Sequence, residues 1–257
     1  MTLAERLRSG DEPDRIAAIA ALVEQGGADT DEIDALAGCL GHGRKTVERP
    51  AAEAFAALAR HGVPVEAALD RALASPSSRQ RWGAAFALAL LGPPPLRTLP
   101  TILDTLGVDD GDMRWAAAAI VRRTEPREAV VDALRDLLAR GNAAQRKMAL
   151  YCLRDLDARS TEVERAVVGA LRDDAWDVRL AAIASLPRLA LDRTAAAACL
   201  VGELQRGDER TKRAAAAALG ALGERTPTVL DALATASGAV DAALRRAAER
   251  SLRDLGA

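Results

Sequence analysis

The chain has 257 residues, with 35 basic and 37 acidic side chains and a formal net charge of −2. That balance gives no bulk field to recruit nucleic acid or a membrane surface. Aromatic residues at 2% exclude a core built on large rings, and no stretch offers an uninterrupted apolar run of a length to span a membrane.

One pattern returns along the whole chain. A basic anchor is followed three positions later by Ala and seven positions later by a large apolar residue. The anchors Arg15, Glu48, Arg81, Arg114, Arg146, Arg179, Lys212 and Arg245 lie 33, 33, 33, 32, 33, 33 and 33 residues apart. Only Glu48 breaks the basic rule, and Arg49 stands beside it. The Ala position is invariant: Ala18, Ala51, Ala84, Ala117, Ala149, Ala182, Ala215 and Ala248. Eight before the anchor, the first seven copies carry Leu, from Leu7 to Leu204. A fixed period of this size signals a solenoid, in which each unit buries its apolar face against its neighbours. Residues 1–257 therefore read as a single array of eight two-helix copies, with no further domain.

In chain order, the first copy opens acid-rich, with nine acidic against three basic residues in the first forty. Its opening MTLAERLRSGDE lacks the apolar run of a signal peptide. Cysteines 39, 152 and 199 are odd in number, widely spaced and set in apolar stretches, so buried free thiols in a cytoplasmic, reducing setting are expected. Asp11 is placed to cap the first copy's second helix, and Ser77, Asp110, Asn142, Asp208 and Asp241 repeat that position, four before the anchor. In the second copy, Gly41–Thr46 is a turn leading to a helix that starts near Thr46, which makes Pro50 tolerable. The third copy ends in the stiff connector Pro93–Pro95. In the fourth, Asp109–Asp112 reads as a capped turn, since the ligand spacing of a calcium loop is absent. The sixth is expected to use Thr161 and Asp174 as caps, Trp176 as a turn plug, and Pro187 as a kink or early stop. Gly26, Gly92, Gly223 and Gly256, eleven after their anchors, are placed to stop helices in the left-handed conformation.

The stretches DDAWDVRLAAIASL (173–186) and DERTKRAAAAALGALG (208–223) resemble short HEAT-like repeats of the type found in phycobilin lyases. The resemblance covers essentially the whole chain. It implies an all-α fold, a right-handed α-α superhelix (α-solenoid) of about eight two-helix repeats, with the second helices lining the concave face. It also implies a binding scaffold in most members. The signatures of ankyrin and tetratricopeptide repeats are absent.

No catalytic constellation stands out. His42 and His61 are each isolated, no Cys or His spacing suits zinc, and the His-Glu pairs of HEAT-repeat di-iron hydroxylases are missing. No cofactor or metal is expected. Positions three, six, seven and ten after each anchor are small or apolar and form the buried face; positions one, five and eight lie on the opposite face. On or next to those rows stand Trp82, Phe86, Trp115, Arg122, Lys147, Tyr151, Arg154 and Arg188. Aromatic rings among arginines suit stacking, cation–π contact or anchoring of an acidic peptide. The competing reading makes Trp82 and Trp115 fillers between helices and pairs the arginines with acids of neighbouring copies. The anchor arginines are expected to reach a neighbouring copy's acids or carbonyls.

The expected function is a non-enzymatic scaffold that binds a protein or peptide partner, as a monomer or weak dimer and away from membranes. The alternative is nucleic-acid binding, as in HEAT-like DNA glycosylases. There Trp115 has Ala119 one turn on in place of a carboxylate, which counts against base excision.

Overall fold

A computed structural model describes residues 1–257 and contains α-helices, one 3-10 turn and no strand. The chain divides into two compact units, Met1–Val130 and Val131–Ala257. The division falls in the interval that holds the 32-residue spacing.

In the first unit the helices are α1 (Leu3–Ser9), α2 (Glu12–Gln25), α3 (Thr30–Cys39), α4 (Lys45–Arg60), α5 (Glu66–Leu73), α6 (Ser78–Leu91), α7 (Leu99–Thr105) and α8 (Gly111–Val121). The odd-numbered member of each pair is the copy's first helix and the even-numbered member carries the anchor. First helices stack in the order α1, α3, α5, and second helices in the order α2, α4, α6, α8. The helix α9 (Arg127–Arg140) begins at the boundary. The second unit continues with α10 (Ala143–Asp155), α11 (Thr161–Ala170), α12 (Trp176–Leu189), α13 (Arg193–Arg206), α14 (Glu209–Leu222), α15 (Pro227–Ser237) and α16 (Ala242–Asp254). Here α10, α12, α14 and α16 stack in turn.

The core follows the period. All eight Ala side chains at position three have 0% exposure, so the second helices meet where only a methyl group fits. At position seven Leu22, Phe55, Leu88, Val121, Leu153, Leu186 and Leu219 are buried, and Leu252 is partly covered. Position six is small or apolar, and where it is Ser the hydroxyl is used. Ser185 donates to the Leu150 carbonyl at 3.4 Å and Ser251 to that of Ala216 at 2.9 Å, each reaching the preceding second helix. Cys39 and Cys152 are buried and Cys199 is half-buried, so burial holds for two of the three thiols.

Asp11, Ser77, Asp110, Asn142, Asp208 and Asp241 all cap as their position predicts, each accepting from the amide three residues on. The sixth copy departs from expectation. Ser160, not Thr161, caps α11. Ala175 occupies the N-cap of α12, and the carboxylate that serves this turn is Asp173, accepting from Ala175 N–H at 2.8 Å, not Asp174. Pro187 does not end α12 early: the helix stops ten residues after its anchor, as α2, α6 and α14 do. The helix α4 likewise runs through Pro50. Gly26, Gly223 and Gly256 adopt positive φ as expected, whereas Gly92 is extended at φ 168°.

The anchors act within their own copies. Arg81, Arg114, Arg179 and Arg245 each donate to the carbonyl six residues back, those of Ser75 (2.9 Å), Val108 (2.6 Å), Asp173 (2.7 Å) and Ala239 (2.9 Å). Arg15 and Arg146 reach Gly10 and Gly141, five back, at 2.8 and 2.9 Å. The expectation that anchors bond neighbouring copies is thus corrected. Carbonyls freed where a first helix ends need donors, and the guanidinium supplies them from the next helix. Arg146 does both, since its guanidinium also grips Asp173 of the following copy with two bonds of 2.7 Å. Glu48 inverts the device: its carboxylate accepts from Gly43 N–H at 2.7 Å.

Candidate functional site

Each unit carries its share of the position one, five and eight rows on its second helices. In the first unit, Trp82 and Phe86 sit one turn apart on α6, ring centroids 5.8 Å apart and tilted by 37°. Trp82 is only 9% exposed and Phe86 is partly covered, so both fill space between helices as well as offering an edge. They line a cleft of about 210 Å³ together with Leu40, Gly83, Met113 and Ala116. Gly83 is needed there: a Cβ at this position lies 2.5 Å from the Leu40 carbonyl oxygen.

The cleft's polar lining is Lys45, Glu48, Arg49, Glu53 and Asp112. Lys45, the first residue of α4, bonds Asp110 at 2.9 Å and Asp112 at 3.1 Å, joining the start of α4 to the start of α8 past α6. The Lys45 ammonium, with the Met113 amide second, holds the Asp110 carboxyl below the usual carboxylate range. Glu48 pairs with Arg79 at 2.6 Å. Arg49 and Glu53 are exposed on α4 and enter no hydrogen bond or ion pair.

Trp115 occupies on α8 the position Trp82 holds on α6, yet it is 55% exposed and lies outside this cleft. Arg122 is exposed just past the end of α8. Two equivalent positions therefore differ: one ring fills, the other is presented to solvent. A second, larger cleft of about 920 Å³ runs beside the ends of α4 and α6 and shares Glu53 with the first. Arg60 and Leu90 are among its lining residues, and Leu90 is 41% exposed.

In the second unit, the Arg154 guanidinium lies 5.0 Å from the centroid of the Tyr151 ring and bonds Asp155 at 2.9 Å. Lys147 reaches Asp177 of the next copy at 2.9 Å. Arg188 reaches back to Asp157 at 3.3 Å, where Arg159 also bonds at 3.1 Å. Arg159 first, and Arg188 after it, hold the Asp157 carboxyl low. Cations of these rows thus pair with acids of adjacent copies, as the competing reading expects. Trp176 is not a turn plug: it is 51% exposed, with the Arg210 guanidinium 5.0 Å from its ring centroid.

Sequence reasoning missed Lys45, Asp112 and Met113 as partners of Trp82, because they come from the turns just before the anchors of other copies, and no local pattern pairs that turn with position one of the copy between them. The Trp176–Arg210 contact did leave a signal, since the two residues lie about one period apart in adjacent copies. No group of three or more His, Cys, Asp or Glu side chains is placed to hold a metal ion, and no helix is long and apolar enough to cross a membrane.

Residues 163–253, all within the second unit, match the family model described as HEAT repeats. No curated protein matches the chain. Among solved structures, the chain is similar to the X-ray structure of YIBA_ECOLI from Escherichia coli, with a TM-score of 0.59 and 18% identity over 99% of this chain and 91% of that one. It is also similar to the crystal structure of an engineered protein, with a TM-score of 0.50 and 19% identity over 98% of this chain and 77% of the other. Human deoxyhypusine hydroxylase in complex with glycerol follows at a TM-score of 0.42 and 19% identity, covering 99% and 94% of the two chains; that score is too low to bear on activity. At these identities likeness speaks for fold alone, and with the matched repeats it supports a HEAT-like family and an all-α solenoid.

Proposed function

We propose that this protein is a non-enzymatic scaffold that holds a protein or peptide partner on the exposed rows of its second helices. The observation that carries the reading is the Trp82–Phe86 cleft, which combines an apolar interior with unpaired charges at its edge. Desolvated aromatic anchors ringed by polar side chains are the usual centre of a protein–protein contact. In the first unit the contact residues are Trp82, Phe86, Trp115 and Arg122; in the second, Lys147, Tyr151, Arg154 and Arg188. The rows carry no acid–base pair or nucleophile arranged for chemistry, which favours binding over catalysis.

A second reading, nucleic-acid binding, draws on α16. There Arg246, Arg250 and Arg253 share one exposed face at helical spacing and enter no ion pair, a pattern that suits phosphates. The test is recovery of the tagged protein from lysate with and without nuclease, followed by separate Phe86→Ala, Trp115→Ala and Tyr151→Ala variants. The scaffold reading expects a protein partner that survives nuclease and is lost from at least one variant while its helical spectrum is unchanged. A partner removed by nuclease, or retained by all three variants, counts against it.

A further inference from the structure

We propose that the groove between α4 and α6 binds a linear peptide, which inserts one bulky apolar side chain beside Trp82 and Phe86, sets an acidic side chain against Arg49 and a basic one against Glu53. This rests on the scaffold reading and names its ligand. Shape argues first. The cleft beside Trp82 and Phe86, of about 210 Å³, meets the larger one of about 920 Å³ at Glu53, so the site is a small apolar notch in a longer groove, a shape that suits an extended chain with one inserted side chain.

Charge argues next. Lys45 bonds both Asp110 and Asp112, which leaves one of those two carboxylates in charge excess, and Glu48 pairs one to one with Arg79, so each of these groups has a partner. That leaves Arg49 and Glu53, one helical turn apart, opposite in sign and bonded neither to each other nor to any other group. A nucleic acid satisfies Arg49 but brings phosphate against Glu53. A peptide carrying both signs satisfies both.

Length follows from the helix. The α4 face from Arg49 through Glu53 and Ala56 to Arg60 passes from the first cleft into the second. Eleven helical steps of about 1.5 Å each give a run of roughly 16 Å, or about five residues of extended chain at some 3.3 Å apiece. Exposed Leu90 offers an apolar shelf near the far end.

The experiment selects a random twelve-residue display library on the purified full-length chain, then measures one enriched synthetic peptide by fluorescence polarisation. The expected motif is a bulky apolar residue with an acid and a base close by. Phe86→Ala should weaken binding about tenfold or more. The double variant Arg49→Glu/Glu53→Arg, on exposed positions that leave the fold intact, should weaken it similarly and recover a peptide with the two charges exchanged. Enriched peptides indifferent to the charge exchange overturn this inference and leave the scaffold reading standing. No enrichment, with nuclease-sensitive material on the purified protein, overturns both.

Discussion

At the scale of single residues, the anchors and their neighbours separate by what they touch. Arg245 donates to the Ala239 and Val240 carbonyls at 2.9 and 2.8 Å, while Arg246 beside it enters no bond. Arg245→Met is therefore expected to cost about 1–2 kcal/mol in urea unfolding, and Arg246→Met less than about 0.5 kcal/mol. The Arg146–Asp173 pair gives a pH signature. Arg146 holds the Asp173 carboxyl below the usual range, so the folded group protonates at a lower pH than in the unfolded chain, where it titrates near about 3.9. The pair's contribution is fully present above that value and is lost as pH falls through the depressed folded one. Stability of wild type and Asp173→Asn should thus differ by about 1–3 kcal/mol near pH ~6 and converge in acid; a constant gap down to the lowest pH would contradict the assignment. The anchors' regularity was plain in the sequence, but their partners were not. A main-chain carbonyl has no residue identity, so no motif reveals it as an acceptor.

Elements show where local pattern suffices and where the neighbour decides. Capping by Asp11, Ser77, Asp110, Asn142, Asp208 and Asp241 was legible because a cap depends on three following residues only. The contrast between Trp82 and Trp115 was not legible. Both hold the same place in their copies, yet Trp82 is covered where Leu40 and Met113 share its cleft, and Trp115 is open. Glycine within helices obeys the same division. A Cβ at Gly83 meets Leu40 backbone and side chain at 2.5 and 2.7 Å, whereas one at Gly169 in α11 meets nothing within 4 Å. Gly83→Ala should destabilise by about 1–3 kcal/mol, and Gly169→Ala should stabilise by about 0.5–1 kcal/mol. Opposite shifts in melting temperature would confirm that α6 approaches its neighbour closely and that this face of α11 does not; shifts of one sign would refute it. The same measurement matters for the cleft, because a helix pushed away from Leu40 carries Trp82 with it.

For the whole molecule, the repeat sets the energetics. Within each unit a copy packs chiefly on the copies next to it in sequence, and α1–α2 and α15–α16 each have such a neighbour on one side only in this chain. Amides of α1, α2, α15 and α16 are expected to exchange faster with deuterium than those of α4, α6, α12 and α14. Slowest exchange at either end would contradict a stability built from neighbour packing. The sixteen-helix, all-α solenoid fold was readable from the invariant alanines, since all eight are fully buried on the second helices. The division at Val130 was not, because it depends on how tightly the chain packs on either side of the start of α9. The anchor's short reach has a last consequence, for synthesis. A turn whose acceptors lie five or six residues upstream of their donor can close once its own copy has left the ribosome. Six of the eight copies can therefore set their bend before the next copy is complete, and nascent chains stalled after each of them are expected to be helical and protease-resistant up to that point.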